Sequence, residues 1–574
     1  MAKGAEFVLP NDKIPEIFTV SDLNEEQRMV RDMVKEFVAN EIMPEDAIRR
    51  IENKDFEFSR DLLRKLADLG LLGTEIPEEY GGQGLDKVTG AIIAEEIAKQ
   101  GSFACTFLAH TGIGTLPIRF FGTEEQKKKY LPKLVSGEWV AAYCLTETGA
   151  GSDANGVKAK AIKDGEYFVL SGAKTFVTNG SFADVFTVFA QLEGVGLSAF
   201  IVEKGWPGVA PAGEEHKMGI LGSSTCKVLG LDNVRVPLGN LLGEPGKGFK
   251  IALNILNLGR FKLGAASLGA GKLAFEQAFR YSQERKQFSQ PICNFGAIRQ
   301  KLALMAAKNY AMESVVYRTA GHLEDAIGQV DANDAKAVLK AIEEFVVECS
   351  IVKVFCSEAN DFIADENVQI HGGSGFCEGH PERQYRDSRI NRIFEGTNEI
   401  NRMVAVGMLL KKAAVGNLPL ISVIKRVVGE AMTPSASTEP EELVERLSYY
   451  LKSAKKVVLL AAGSAYERFQ LEMEKHQVLL TALSDCLINI YVMESSLAAL
   501  VKNRTDLNEM LVRMIFDEAL FSVERTARKI IPMCSEGDTQ KTALAMVRRL
   551  LKFVPENEEE LCNKIMENLL GRGC

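Results

Sequence analysis

Apolar residues recur on a helical period through most of this chain and on a strand period through one stretch near its middle. In LNEEQRMVRDMVKEFVANEIMP (23–44), Met29/Val30, Met33/Val34 and Phe37/Val38 return every four residues and lay one apolar stripe along a helix. Asn24 and Gln27 form a capping box at its start and Pro44 closes it; a second box, Thr123 with Gln126, opens TEEQKKKYLPKLVSG. The helical period holds to about residue 140. It then gives way in VKAKAIKDGEYFVLSG (157–172), where Val157, Ala159 and Ala161 alternate with lysines and Asp164-Gly165 supplies a hairpin turn. KTFVTNG, VFTVFAQ, LSAFIVEKG and NVRVPLGNLLG continue the short-strand pattern without intervening helices, which predicts an antiparallel β domain rather than a three-layer nucleotide-binding sheet.

From Gly248 the helical period returns to about residue 412, and further amphipathic helices follow the polar, Pro-containing TPSASTEPEE (433–442). The pattern thus predicts an α+β, mainly α chain: an N-terminal helical domain (1–140), a middle β domain (141–248), a helical bundle (249–412), a linker (413–440) and an appended helical domain (441–574). At 574 residues the chain is too long for one core.

Charge and composition narrow the functions. A net charge of −9 argues against a nucleic-acid binder, which needs a basic face. The 11 cysteines and six histidines show no metal-ligand spacing, so no metal site is expected and the cysteines read as reduced thiols. The first residues carry no targeting pattern, which predicts a cytoplasmic chain or one already processed, and no window comes near the apolar run that spans a bilayer. LISVIKRVVGEAM (420–432) is amphipathic; a helix docked on the protein is favoured over peripheral membrane contact.

Five stretches carry candidate chemistry. ASLGAGKLAF imitates a phosphate loop, but Ala266 and Leu273 occupy its glycine and hydroxyl positions, so it reads as packing glycines on a helix. In YCLTETGAGSD (143–153), Gly149 and Gly151 would let backbone N–H groups approach a ligand while Thr146 and Ser152 offer hydroxyls; a glycine-rich turn fits equally well. ERKQF puts Arg285 where it could hold a pyrophosphate, though a helix end favours cations anyway. QIHGG brings Gln369 and Gly372-Gly373 into a tight turn, either a close approach to a cofactor or a helix stop. In RIFEGTNEINR (392–402), Thr397 is a helix N-cap and Glu399 falls in the first turn, where a carboxylate suits the helix dipole. Glu395 precedes the cap, between Phe394 and Gly396, where an apolar setting would raise its pKa toward that of a general base.

Taken in order, LTETGAGSD, TFVTNG, ERKQF, QIHGG and FEGTNEI, with IPEEYGGQGLD (76–86), resemble the acyl-CoA dehydrogenase family from about residue 22 to 412, and the helical tail resembles its very-long-chain branch. The resemblance implies FAD as cofactor and α,β-dehydrogenation of an acyl-CoA to the trans-2-enoyl-CoA in fatty acid β-oxidation. It also implies electron transfer to an electron-transferring flavoprotein, and a homodimer. It makes Glu395 the base, the alternative position of the base in some branches falling on Gly259. It implies flavin contacts from Tyr143, Leu145, Thr146, Gly151, Ser152, Phe176, Thr178, Phe288, Thr397 and Asn398, with Gly372, and from Arg285, Gln369 and Gly373 reaching the partner's flavin. Ser152, Asn257, Arg260, Phe394, Glu395 and Gly396 fall at substrate positions. Thr148, Phe176, Gly296 and Asn257 depart from common family residues. FACTFLAHTGIG (103–114) is expected to floor the acyl channel, with Ala104, Ala109 and Gly112 allowing depth and Phe107 and Leu108 limiting it; medium-to-long straight chains are the expectation. An assembly protein or an acyl-CoA oxidase on the same fold are the alternatives.

Overall fold

The computed structural model describes residues 3–433 and 439–572. Its N-terminal part comprises α1 (Glu25–Phe37), α2 (Glu45–Glu52), α3 (Phe56–Asp68), α4 (Lys87–Ile97), α5 (Gly101–Leu108), α6 (Leu116–Phe121) and α7 (Glu124–Val135). Both capping boxes form: Asn24 and Gln27 exchange bonds at 2.8 and 3.0 Å, Thr123 and Gln126 at 3.3 and 3.0 Å. The stripe on α1 buries Val34 and Phe37, with Val38 just beyond, but Met29 is 67% exposed because the face meeting the core begins one turn later.

The middle part is one sheet of β1 (Ala141–Cys144), β2 (Lys160–Asp164), β3 (Tyr167–Lys174), β4 (Val177–Thr178), β5 (Val185–Leu192), β6 (Gly196–Glu203), β7 (Val209–Glu214), β8 (Thr225–Pro237) and β9 (Leu241–Leu242). The order is β4-β8-β3-β2-β5-β6-β9, with β1 on β5 and β7 on β8. The β2–β3 hairpin forms as its pattern predicts, but Asp164 pairs with Tyr167, so the turn residues are Gly165 and Glu166. The sheet is not wholly antiparallel. β1 and β2 both run parallel to β5, because the chain leaves β1 and returns to the same sheet through β2, β3 and β4. β5 and β6 are buried on both faces: Val185, Phe189, Ala199 and Ile201 join the helical core, while Phe186, Val188, Phe200 and Val202 face a second core within the β layer. That double burial is why they read as continuous apolar runs rather than alternating ones.

The bundle contains α8 (Gly248–Glu284), a small hairpin β10 (Lys286–Gln287) and β11 (Gln290–Pro291), α9 (Gly296–Ile327), α10 (Ala335–Glu343), α11 (Val346–His371), α12 (Gly373–Phe376), α13 (His380–Ser388) and α14 (Asn398–Ala414). α8 and α11 cross so closely that a Cβ on Gly264 would lie 2.3 Å from Val352 Cγ1. The phosphate-loop imitation lies inside α8, and Lys272 Nζ is spent on Glu95 and Glu313, each at 2.6 Å.

Beyond it come α15 (Leu420–Met432), α16 (Leu443–Phe469), α17 (Gln477–Lys502), α18 (Asp506–Cys534), α19 (Gly537–Leu550) and α20 (Glu558–Arg572). The stretch 413–440 is therefore not a plain linker, since α15 occupies its centre; of the polar TPSASTEPEE, residues 434–438 lie outside those described. α17 is, among the described residues, a helix long and apolar enough to cross a membrane, contrary to the sequence reading, but 72% of its most apolar window is buried in the molecule. Its polar groups tie the appended helices to the bundle: Glu494 to Arg318 at 2.7 Å and Asp485 to Arg402 at 2.7 Å.

Candidate active site

The stretch around Glu395 folds into a tight loop between a 3-10 turn (Arg389–Arg392) and α14. Thr397 caps α14, its Oγ1 accepting from the Ile400 N–H at 3.2 Å. Glu399 sits exposed in the first turn, where the backbone N–H at the helix start holds its pKa below the ordinary range. It is a cap-region carboxylate.

Glu395 differs in every respect. It adopts a left-handed backbone (φ +57°), followed by Gly396 at φ +78°. For a residue with a side chain this conformation costs about 1–3 kcal/mol and persists only where neighbours impose it. Here they do. Asn401 Nδ2 donates to the carbonyls of Glu395, Gly396 and Thr397 at 3.3, 2.8 and 3.1 Å. Lys353 Nζ, from α11, donates to the Gly396 carbonyl at 2.8 Å and to Asn398 Oδ1 at 2.7 Å. Arg260 Nε reaches the Glu395 carbonyl at 3.4 Å while its other arm holds Asn257 Oδ1 at 3.0 Å.

The Glu395 carboxyl consequently turns inward, and its Oε2 is buried without a hydrogen-bond partner among the described residues. Burial pushes its pKa up to about 7, against the opposing pull of Arg260 and Lys353. Gly259 makes the room: a Cβ there would stand 2.5 Å from Oε2. The Tyr143 hydroxyl is also buried and unpartnered, and burial together with the Glu395 charge drives its pKa well upward. Cys105 shares the enclosure, its thiol raised by burial and further by Glu395.

The loop after β1 is locked by Glu147. Its carboxylate accepts from the N–H groups of Lys158 and Ala159 at 2.7 and 2.9 Å and from Lys174 Nζ at 2.6 Å. Glu147 and Ala150 also exchange backbone hydrogen bonds at 3.1 and 3.0 Å, so the turn closes with Thr148 in place. Leu145 is buried, Thr146 half-buried, Gly151 and Ser152 exposed. A Cβ added at Gly149 or Gly151 would meet nothing within 4 Å, so packing within the chain does not require these glycines. Open space beside them, an orphaned Tyr143 hydroxyl, Thr178 on β4 and the 61% exposed ring of Phe176 (φ +55°) fit a planar cofactor laid across this edge of the sheet.

The remaining predicted contacts lie elsewhere. Arg285, Gln369, Gly372 and Gly373 are exposed, and Phe288 is 88% exposed. They share one end of the bundle, where Tyr281 stacks on His371 with centroids 4.1 Å apart. Arg285 follows Arg260 by 25 residues of α8, roughly 37 Å along a helix axis. Gln369 follows Lys353 by 16 residues of α11, roughly 24 Å. Within one chain this second group cannot join the first. As at the other loop, a Cβ on Gly372 or Gly373 would meet nothing within 4 Å.

A separate small cavity reaches Phe394, lined by Ala104, Cys105, Leu108, Ala266 and Ala270. Of the stretch expected to floor the acyl channel, Ala104 and Leu108 line this cavity. Phe107 turns instead into the α3–α5 core, and Ala109 and Gly112 lie in a π-helical turn outside the cavity lining. Lys353 and Asn401 were not singled out from the sequence. The available signals were a lysine inside the apolar run of α11 and an asparagine four residues after the cap.

The chain matches models of the acyl-CoA dehydrogenase N-terminal domain over residues 24–138, the middle domain over 142–234 and the C-terminal domain over 246–409. A further acyl-CoA dehydrogenase C-terminal domain model matches 453–549. A probable acyl-CoA dehydrogenase of Bacillus subtilis is 44% identical over 568 residues, 97% of this chain and 95% of that protein. The human mitochondrial very long-chain specific acyl-CoA dehydrogenase is 39% identical over 402 residues, 67% of this chain and 58% of that protein. A Bacillus anthracis acyl-CoA dehydrogenase solved in complex with FAD superposes with a TM-score of 0.96 at 43% identity, covering 100% of this chain and 99% of the other. The domain order, the appended helices and near-complete coverage by the two Bacillus proteins show that the chain belongs to the acyl-CoA dehydrogenase family of FAD-dependent oxidoreductases.

Proposed function

We propose that the protein oxidises the Cα–Cβ bond of medium-to-long straight-chain acyl-CoA thioesters, with Glu395 as the base that removes the α-proton. The observation that carries this reading is the Glu395 carboxyl: enclosed, unpartnered and poised near neutrality on a loop held by Lys353, Arg260 and Asn401. An α-proton of a thioester is weakly acidic, and a base whose pKa lies near the operating pH takes it most effectively. Enclosure serves a second end by keeping water from the developing charge. FAD, when bound, supplies the acceptor for the hydrogen that leaves Cβ as hydride. Tyr143, Leu145, Thr146, Gly151, Ser152, Phe176, Thr178, Thr397 and Asn398 would hold it in one chain. Arg285, Phe288, Gln369, Gly372 and Gly373 would do so from a partner chain, which makes the working unit a homodimer. The axial separation of the two groups supports that unit.

We assign the acyl chain to the cavity beside Phe394, lined by Ala104, Ala266 and Ala270 and about 70 Å³ in volume. An electron-transferring flavoprotein is the acceptor we assign. Anaerobic mixing with acyl-CoAs of graded length tests the reading: the oxidised flavin band bleaches with one length class in the wild type. In Glu395→Gln, which retains FAD, the bleaching rate falls at least about 100-fold. Equal rates in the two proteins would remove Glu395 from the mechanism. Bleaching that reverses rapidly in air without added acceptor would favour an oxidase.

A further inference from the structure

A cavity of about 790 Å³ opens where the bundle meets the appended helices, and its lining includes Asn257 and Arg260 of α8. One wall is α8, with Phe249, Leu253, Asn257 and Arg260; the opposite wall belongs to the appended helices, with Ile424 of α15 and Tyr466 of α16. Arg260 is the link, because the same side chain reaches the Glu395 carbonyl. Two spaces therefore flank the candidate base, and their surroundings differ. Around the Phe394 cavity the lining is closed, with Ala104 5%, Leu263 6% and Ala266 7% exposed. Around the large one it is open, with Phe249 36%, Leu253 39%, Tyr466 42% and Ile421 47% exposed.

An acyl-CoA bound with its α-carbon at Glu395 has two unequal arms. The alkyl arm ends in a methyl group and belongs in the closed space. The other arm carries a pantetheine chain, with amides and a gem-dimethyl carbon, and ends in a phosphorylated nucleotide that stays hydrated. It needs a channel of several hundred Å³ with a few polar groups near the thioester and an exit to water. The large cavity answers each requirement: Asn257 and Arg260 at the inner end, carbon surface along its length, and the exposed Lys250 and Lys411 at the rim. Neither lysine is in an ion pair with a described residue, although Glu343 and Glu474 share the rim.

We propose that the appended domain is part of the substrate site. α15 and the C-terminal turns of α16 form the outer wall of the channel that receives the pantetheine–nucleotide arm, and they set its width. This rests on the acyl-CoA reading above. The width is fixed at one contact. α15 sits on α16 where Gly463 offers no side chain, and a Cβ there would come within 2.6 Å of Ile424 Cγ2. The Lys456–Glu430 ion pair at 2.7 Å holds the same two helices together. Tyr466 lies one turn further along α16, its ring on the open side of the groove. These are positioning residues: they touch the carrier arm and no reacting atom.

The test compares one acyl group on two carriers, coenzyme A and N-acetylcysteamine, which lacks the distal arm. In FAD-loaded Tyr466→Ala, KM for the acyl-CoA rises roughly tenfold at unchanged kcat, and inhibition by free coenzyme A weakens by the same factor. kcat/KM for the N-acetylcysteamine thioester stays at the wild-type value. Gly463→Leu, which must push α15 off its seat, gives the same split with a larger rise in KM; Tyr466→Ala keeps the test open should that variant fail to fold. Unchanged KM for the acyl-CoA in Tyr466→Ala, or an equal loss on both carriers, overturns the proposal. If the wild type oxidises neither thioester, the reaction assignment fails instead, and calorimetric titration of wild type and Tyr466→Ala with coenzyme A still decides the channel.

Discussion

Gly259→Ala should separate activity from stability. The added methyl would lie 2.5 Å from Glu395 Oε2 and 2.9 Å from Cδ. An ordinary contact begins near 3.4 Å, so the carboxyl must retreat by about 0.9 Å. What moves is the end of a flexible side chain rather than backbone, and position 259 lies inside α8, where alanine is favoured over glycine by roughly 1 kcal/mol. The fold should therefore be as stable as wild type or slightly more so. Catalysis should not survive as well, because a misplacement of about 1 Å in a reacting group costs on the order of 100-fold in rate. The assay is stopped-flow flavin reduction with a saturating acyl-CoA, alongside FAD content and Tm. The expected result is full FAD occupancy, unchanged or higher Tm, and a reduction rate down by about two orders of magnitude. A wild-type rate in Gly259→Ala would show that the carboxyl position seen here is not the one from which the proton is taken.

Three further outcomes follow from the same geometry. Because Glu395 must be ionised to act and its pKa is pushed up to about 7, kcat/KM should fall as pH drops below about 7; a flat profile down to pH 5.5 would contradict that assignment. Glu348 is buried, accepts from the Ala5 N–H at 2.5 Å through Oε1, leaves Oε2 unpartnered, and has its pKa raised by burial to about 7. A folded-state pKa above the unfolded value means that its contribution is intact below about pH 4.5 and is lost as pH rises through 7. Glu348→Gln should therefore raise stability at pH 8 by at most about 3 kcal/mol and leave it unchanged at pH 4.5, read from denaturant unfolding at both values. If each flavin site draws on two chains, Glu395→Gln and Arg285→Ala subunits, each inactive alone, should regain activity when co-expressed, since one of the two sites in the hybrid is intact. No recovery in verified hybrids would place both residues in one chain's site.

The sequence pattern was most informative where structure is local. Capping boxes, the β2–β3 hairpin and the Thr397 cap depend on residues within four positions of one another, and each forms. The mostly apolar strand VFTVFAQ was recognisable as β5, but its parallel neighbours were not, because pairing with β1 and β2 depends on how distant segments return to the sheet. Met29 fits the α1 stripe by spacing and yet faces water, since spacing defines a stripe but not where the partner surface ends. α15 was legible as an amphipathic helix over 420–432 even though the domain bounds set it within a linker, because its apolar spacing is local while the packing that joins it to the appended helices is not.

At the candidate site the division has a chemical consequence. Glu395 is legible because the tight loop and cap are written around it in FEGTN. Lys353 and Asn401 are not, nor is the contact of Arg260 with the loop, since all three converge on its backbone from α11, α14 and α8 only once those helices cross. Those groups do two things at once. Their hydrogen bonds to consecutive carbonyls hold a left-handed backbone that would otherwise relax, and the charges of Lys353 and Arg260 lower the Glu395 pKa that burial raises. Position and basicity are therefore coupled: loosening the loop exposes the carboxyl and lowers its pKa, while removing a cation raises it. A carboxylate carried on a regular helix would need no such anchors, but its direction would then be fixed by the helix and its access to solvent by the helix surface. Placing it on a strained turn before α14 lets three elements aim its Oε2 inward, and the vacancy at Gly259 is what that aim requires.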